Sequence, residues 1–173
     1  MNLEETVDYL AAELDLQRSE HVRETGVPVV VDPVMVATTG DRLLARDAEK
    51  AYEALIAESA LATPNLDEAE VLTGIAVEDE ETAREAGEAI VAMGADGALI
   101  KGGHLPDDTV RDVLVTADGT RTFVHPRVDG AATHGSGCTL SSAIAAELAQ
   151  GANLESAVQS GIEFMGRAVR YHL

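Results

Sequence analysis

Residues 27–33 read Val27-Pro28-Val29-Val30-Val31-Asp32-Pro33. A β-branched run of this kind, bounded by polar and turn residues, is typical of a strand that is buried on both faces of a parallel sheet. Ligands of open α/β sheets lie beyond the carboxyl ends of the strands. Asp32 stands at that end of this strand and is therefore a candidate for metal or phosphate chemistry.

Helical and strand patterns alternate along the rest of the chain. In order, the sequence predicts helices at 3–14, 48–56, 79–93, 139–149 and 153–170, strands at 27–31, 60–63 and 98–100, and a hairpin at 110–124. The length of 173 residues suits one domain and is too short to expect two. We therefore predict a single α/β domain over residues 1–173, a doubly wound, mostly parallel sheet with helices on both faces.

Composition narrows the possible partners. Thirty-one acidic residues against 12 basic ones give a formal charge of −19, which makes nucleic acid and anionic membranes poor partners. No apolar run approaches the roughly 18 residues of a membrane span, and residues 1–5 lack a basic signal-peptide start, so a cytoplasmic protein is expected. The single cysteine, Cys138, excludes an internal disulfide, and the five histidines have no metal-type spacing.

The acidic excess predicts a halophilic stability profile. Self-repulsion among the carboxylates opposes folding, and raising salt from about 0.1 M to about 1 M shortens the Debye length from about 10 Å to about 3 Å. We expect the melting temperature, followed by circular dichroism, to rise steadily over this range of KCl. A melting temperature that stays constant or falls as KCl is added would contradict the prediction.

A glycine-rich loop carries the clearest local signal. Residues 133–139 read Thr133-His134-Gly135-Ser136-Gly137-Cys138-Thr139 and lead directly into an alanine-rich helix. Two glycines one residue apart let backbone amides turn inward, and a helix N-terminus adds about half a positive charge, so the loop suits an anion such as phosphate. The alternative is a glycine-rich connection that binds nothing. The spacing matches neither the P-loop nor the dinucleotide-binding pattern.

Cys138 has two interpretations from its position alone. A helix N-terminus favours the thiolate form of a cysteine, so Cys138 could serve as a base or polarise a substrate hydroxyl. The alternative is a small buried residue that packs the start of the helix. A hydrolase pairing of Cys138 with His134 is disfavoured, because the two lie four positions apart on one loop and no third orienting group is evident.

Two further predicted strand ends carry candidate ligands. Asn65 and Glu68 stand three positions apart at the start of a predicted helix, where they could hold a hydrated Mg²⁺ or simply cap that helix. Lys101 follows a predicted strand and precedes Gly102-Gly103. It is one of only two lysines, which favours a phosphate contact over the alternative of a solvated side chain.

Four segments together resemble one family. They are VVVDPVMVATTGDRLL at 29–44, TPNLDEAEVLTG at 63–74, ALIKGGHL at 98–105 and THGSGCTLSSAIAAELAQG at 133–151. In this order they are similar to the hydroxymethylpyrimidine/phosphomethylpyrimidine kinases of the ribokinase-like superfamily. The resemblance extends from about Gly26 to the C-terminus, and the combination of DPVM with a cysteine-containing GxGCT loop is more specific than either segment alone.

The resemblance implies an activity, cofactors and residue roles. The family transfers the γ-phosphoryl group of ATP, with Mg²⁺, to hydroxymethylpyrimidine and then to its monophosphate. The resemblance implies that the anion hole and the catalytic thiol are formed by Gly135, Ser136, Gly137 and Cys138. It implies nucleotide binding by Lys101, Asn65, Thr133 and His134. It implies metal binding by Asp32 and Glu68. Cys138 stands where related sugar kinases carry an aspartate base.

Two departures from the family pattern change the expectations. Ala132 replaces an asparagine before the loop, and Ser136 replaces a threonine. The family's opening segment, which resembles GSDPSGGAG, has no counterpart before Leu3, so about the first third of the usual fold is expected to be absent and a sheet edge exposed. A truncated product, a half that pairs with a complementing chain, and a self-associating homo-oligomer all remain open. A pyridoxal-type kinase and an inactive nucleotide- or pyrimidine-binding remnant are the alternative functions.

Overall fold

The computed structural model describes residues 25–35, 52–103, 109–127 and 135–171. Its strands are β1 (Val30–Val31), β2 (Leu61–Ala62), β3 (Gly97–Ile100), β4 (Thr109–Thr116) and β5 (Gly119–Pro126), and its helices are α1 (Leu66–Thr73), α2 (Glu80–Ala92), α3 (Ser136–Ala149) and α4 (Leu154–Tyr171). Residues 52–56 are also helical. The helix predicted at 3–14, residues 48–51 of that predicted at 48–56, and Thr133 and His134 lie outside the described residues.

The five strands form one sheet in the order β1-β2-β3-β4-β5. β1, β2 and β3 run parallel, with Val30 opposite Leu61 and Ala62 opposite Ala98. β4 pairs antiparallel with both β3 and β5, as the predicted hairpin requires. The α/β fold class is confirmed, and the sheet is mixed because the hairpin adds two antiparallel pairings to the two parallel ones.

The strand predicted at 27–31 is shorter than expected. The carbonyl of Val29 still accepts the amide of Ala60 at 2.9 Å, and that of Val31 accepts the amide of Thr63 at 2.9 Å. Pro28 has no amide to donate, so regular pairing cannot continue toward Val27, whose side chain is 54% exposed. The run therefore supplies a short buried strand whose end still delivers Asp32 to the edge of the sheet.

Two apolar layers cover the two faces of the sheet. Ala98 and Ile100 of β3 face a core that is shared with residues 52–56, α1 and α2. Leu99 faces the opposite core, which is shared with α3 and α4. All of β3 is buried, so the prediction of helices on both faces and of a strand buried on both sides is confirmed.

Side chains cap the starts of two of the predicted helices. Asp79 accepts the amide of Thr82 at the start of α2, and Asn153 accepts the amide of Ser156 at the start of α4. α3 begins at Ser136 rather than at the predicted 139, immediately after Gly135, whose φ of 81° lies in the left-handed region. Among the helices that the structure describes, none is long and apolar enough to cross a membrane.

Candidate active site

The strand ends bring Asp32 and Lys101 together. Lys101 Nζ donates to Asp32 Oδ1 at 2.7 Å, and the two side chains are only 16% and 14% exposed. The backbone of Lys101 continues the parallel pairing, since its amide donates to the Pro64 carbonyl at 2.9 Å and it forms a bridge with Asn65. Both partners of the ion pair are thus placed by the sheet itself, and the alternative of a solvated lysine does not hold.

The first turn of α3 lies directly against this ion pair. A Cβ added to Gly137 would lie 3.1 Å from Lys101 Nζ and 3.5 Å from Asp32 Oδ2. The distance to Asp32 is an ordinary van der Waals contact, whereas the distance to Lys101 is tighter, so a side chain here would displace the ammonium group by a few tenths of an ångström. The start of α3 at Gly137, Asp32 and Lys101, which the sequence identified separately, therefore form one contiguous site.

The amides at the start of α3 are available to a ligand. The amide of Thr139 bonds to the Gly135 carbonyl at 2.9 Å, so those of Ser136, Gly137 and Cys138 precede the first helical hydrogen bond. Gly135, at the N-cap, supplies no side-chain hydrogen bond within the described residues, whereas Asn65, Asp79 and Asn153 cap the other helices. Backbone donors and a helix dipole beside a lysine are suited to a phosphate group.

Cys138 is exposed at this helix start. The alternative of a buried packing residue therefore does not hold. The thiol lies at the end of an open groove of about 730 Å³ between α3 and α4, whose other lining residues include Ser142, Phe164 and Arg167. A substrate hydroxyl can approach the sulfur without any change in the core.

Two buried hydroxyls under the site were missed from the sequence. Thr63 is fully buried and Ser141 is 7% exposed. Thr63 Oγ1 donates to Asp32 Oδ1 at 3.1 Å and lies 3.3 Å from Ser141 Oγ. Ser141 Oγ donates to the Gly137 carbonyl at 2.7 Å. Their positions in the sequence could have identified them. Ser141 follows Gly137 by one helical turn, and Thr63 ends a predicted buried strand.

Asn65 and Glu68 form the capping box that the sequence left open as an alternative. Glu68 donates its amide to Asn65 Oδ1 at 2.9 Å, and the amide of Asn65 donates to Glu68 Oε2 at 2.7 Å. Glu68 is 3% exposed. Burial raises the pKa of Glu68 above its ordinary value, and the amide of Asn65 and the charge of Lys101 partly offset that rise. The metal role of Glu68 stays a prediction.

Glu68→Gln tests the cost of this buried carboxyl. A raised pKa in the folded state means that the stability Glu68 contributes is fully present below its unfolded pKa and is lost as pH rises through its folded pKa. The glutamine keeps an acceptor for the Asn65 amide and carries no charge at any pH. We therefore expect the melting temperature of Glu68→Gln, relative to wild type, to increase with pH from about 4.5 upward and then level off.

Thermal melts at a series of pH values measure this difference. Glu70→Gln is the matched control, because Glu70 is exposed on the same helix and its loss should shift the melting temperature by less. If the difference in melting temperature between Glu68→Gln and wild type does not vary with pH, burial does not raise the pKa of Glu68.

A second buried carboxylate, also missed from the sequence, holds the glycine turn after Lys101. Asp112 on β4 is 3% exposed, and its Oδ1 accepts the amide of Gly102 at 2.9 Å. Its Oδ2 lies 3.0 Å from His125 Nε2 on β5. A Cβ on Gly102 would lie 1.9 Å from the Arg111 carbonyl oxygen, so this position admits only glycine. The hairpin therefore fixes the backbone that carries Lys101.

Comparison with known proteins identifies close relatives. A sequence model described as phosphomethylpyrimidine kinase matches residues 11–173. The hydroxymethylpyrimidine/phosphomethylpyrimidine kinase of Streptomyces coelicolor is 44% identical over 160 residues, which are 92% of this chain and 59% of the relative. That of Staphylococcus aureus strain MSSA476 is 39% identical over 153 residues, 87% of this chain and 55% of the relative. The chain thus spans a little more than half the length of these relatives.

Solved structures of two kinds of kinase share the fold. Phosphomethylpyrimidine kinase from Clostridium difficile has a TM-score of 0.75 and 33% identity, covering 91% of this chain and 64% of that one. The pyridoxal kinase of Staphylococcus aureus in complex with AMP-PCP has a TM-score of 0.81 and 29% identity, covering 91% and 58%. The backbone alone therefore does not separate the two substrates.

Proposed function

The chain belongs to the phosphomethylpyrimidine kinase family, and we propose that it acts as an ATP- and Mg²⁺-dependent kinase of hydroxymethylpyrimidine and its monophosphate in thiamine biosynthesis. The observation that carries the proposal is the contact between the first turn of α3 and the Lys101–Asp32 pair. Phosphoryl transfer requires positioning and charge neutralisation more than covalent chemistry. Backbone amides that precede the first helical hydrogen bond of α3 and a largely buried lysine provide both at one point.

The proposed roles follow from the position of each group. The amides of Ser136, Gly137 and Cys138 hold oxygens of the transferred phosphoryl group, and Lys101 neutralises charge on the nucleotide phosphates. Cys138, as the thiolate that a helix N-terminus favours, accepts the proton of the substrate hydroxymethyl group. The substrate oxygen bonds to the γ-phosphorus of ATP as the bond to the β-phosphate oxygen breaks and ADP leaves. Gly135 lets the chain turn into the helix. Thr133 and His134 lie outside the described residues, and we propose nucleotide contacts for them on the basis of the family resemblance alone. Asn65 holds the start of α1 beside Lys101.

Magnesium fits this site as a hydrated ion rather than in a cage of side chains. Over the described residues there is no group of three or more histidines, cysteines or carboxylates that could hold a metal. Mg²⁺ commonly keeps several waters and uses one or two carboxylates together with substrate phosphates. Asp32 and Glu68 would hold it through water, and the bound ion would supply charge neutralisation on the phosphates.

The organisation of the chain enters the same proposal. We propose one domain over residues 1–173, located in the cytoplasm, with ATP and a small pyrimidine as ligands and no role for nucleic acid or membranes. β1 is the end strand of the described sheet, and Val27 and Val34 beside it are 54% and 44% exposed. These features support pairing of this edge with a second copy or a complementing chain.

Pyridoxal is the second candidate substrate. The likeness to the pyridoxal kinase of Staphylococcus aureus favours it, because the structure of that enzyme in complex with pyridoxal has a similar fold. Both substrates present the same reacting group to Cys138. The two candidates therefore differ in the residues that contact the ring and share the phosphate side described above.

The test is ADP formation by the purified chain in about 1 M KCl with Mg-ATP. Three parallel reactions contain hydroxymethylpyrimidine, pyridoxal or no acceptor. ADP formation that depends on hydroxymethylpyrimidine is the expected result, and dependence on pyridoxal would replace the first candidate with the second. Thermal stabilisation by Mg-ADP without turnover in any reaction would identify a binding protein instead, which would overturn the proposed activity.

A further inference from the structure

Thr63 and Ser141 stand between the two halves of the site. Thr63 follows β2 directly, beside Asp32, whereas Ser141 is in the second turn of α3. Their hydroxyl oxygens lie 3.3 Å apart across 78 residues of sequence. Resting on the proposed function, we propose that these two hydroxyls are positioning groups that couple the Lys101–Asp32 pair to the anion-binding turn of α3.

The direction of the hydrogen bonds supports the coupling. A hydroxyl donates one proton, and Ser141 uses its own in the 2.7 Å bond to the Gly137 carbonyl. The contact between Ser141 and Thr63 is therefore a hydrogen bond only while the single Thr63 proton points to Ser141 rather than to Asp32. Gly137 is the residue whose Cα faces Lys101 and Asp32, so Ser141 holds the part of the helix that contacts the ion pair.

The single hydroxyl proton of Thr63 has three possible acceptors nearby. Its Oγ1 lies 3.1 Å from Asp32 Oδ1, 3.3 Å from Ser141 Oγ and 3.4 Å from the Val31 carbonyl oxygen. Asp32 Oδ1 already accepts Lys101 at 2.7 Å. When Lys101 also binds a phosphate, its ion pair with Asp32 weakens. A hydrogen bond from Thr63 Oγ1 to Asp32 Oδ1 can then stabilise the carboxylate. The loss of a partner for a mostly buried carboxylate is costly, which makes this compensation matter for ligand affinity.

Burial makes the compensation depend on these side chains. Thr63 is fully buried and Ser141 is 7% exposed, so bulk water has little access to replace either hydroxyl. Buried hydrogen-bond networks also polarise one another, so their members do not act independently. A change at Lys101 is therefore felt at Ser141 and Gly137 through Thr63.

The first experiment measures Mg-ADP affinity by calorimetry and the melting temperature of each variant. Thr63→Val removes the hydroxyl at nearly constant volume, Thr63→Ser restores it, and Ser141→Ala removes its partner. We expect Thr63→Val and Ser141→Ala each to weaken binding about five- to tenfold, and the double variant to weaken it by less than the product of the two. Thr63→Ser should bind within about twofold of wild type.

A purely structural role predicts a different pattern. Thr63→Val and Ser141→Ala would then melt earlier yet bind Mg-ADP as wild type does, and that result would overturn the inference. Multiplicative losses of affinity in the double variant would overturn the coupling as well. Failure of the wild-type chain to bind Mg-ADP would count against the proposed function, so a ligand-free measurement decides the inference in that case.

The ligand-free measurement is a double-mutant cycle between Thr63→Val and Lys101→Met. In this model the Thr63 proton stabilises the Asp32 carboxylate when Lys101 is absent. The decrease in melting temperature caused by Thr63→Val should therefore be about twice as large in the Lys101→Met background as in wild type. Equal losses in the two backgrounds would overturn the inference, whatever the nucleotide measurements show.

Discussion

Replacement of Cys138 by alanine is expected to lower turnover about 10²- to 10⁴-fold, the contribution typical of a positioned group that accepts a proton in the transition state. The thiol is exposed and contributes little to the core, so its removal should leave the melting temperature close to that of wild type. Alanine is also the residue that a helix tolerates best. Steady-state ADP formation and a thermal melt of the same preparation measure the two effects.

Ser142→Ala is the matched control for Cys138→Ala. Ser142 is exposed on the same helix and lines the same groove, one turn further from the helix start. It should retain wild-type turnover, because it lies beyond the free amides of the first turn. Wild-type turnover by Cys138→Ala would remove the proton-accepting role proposed for the thiol and leave the amides and Lys101 as the source of catalysis.

The sequence could predict that Asp32 and Lys101 lie at the same edge of the sheet. They are 69 positions apart in the sequence, yet each directly follows a buried strand, and the ends of parallel strands meet at one edge of a sheet. The β4–β5 hairpin was predictable as well, since it depends on a few adjacent residues. Local chemistry and one topological rule therefore place most of the fold.

The residues that were missed depend on contacts between distant segments. Thr63 and Ser141 read as an ordinary strand residue and an ordinary helix residue until the sheet and α3 are placed face to face. Asp112 read as a polar residue within a hairpin, and its partner Gly102 lies on another strand end. Neither pairing has a periodic signature. Sequence patterns report which face a residue occupies, whereas these roles depend on which atoms meet across that face.

The start of α3 shows a subtler error. A helix was predicted from 139 because Gly135 and Gly137 resemble a loop, and glycine is a poor helix former. Gly137 is nevertheless in the first turn, where its missing side chain leaves room for the Lys101–Asp32 pair. The requirement for close approach to charged groups outweighs helix propensity at this position.

Gly137→Ala is therefore expected to separate helix stability from ligand binding. The added Cβ would lie 3.1 Å from Lys101 Nζ and 3.5 Å from Asp32 Oδ2, so the ammonium group or the helix must move by a few tenths of an ångström. A misplacement of about 1 Å in an active site can cost about a hundredfold in rate, so we expect this smaller displacement to lower the rate several-fold. Alanine should keep or raise the melting temperature, because it favours the helix.

The control for this change is Gly166→Ala in α4. A Cβ at Gly166 meets no atom within 4 Å, so this variant gains helix propensity without touching the site. Both variants should melt at or above the wild-type temperature, whereas only Gly137→Ala should lose Mg-ADP affinity and kcat/KM. Equal kinetics in the two variants would mean that the first turn of α3 is not where the phosphates bind. A lower melting temperature in Gly137→Ala alone would instead mean that its close contacts mainly support the fold.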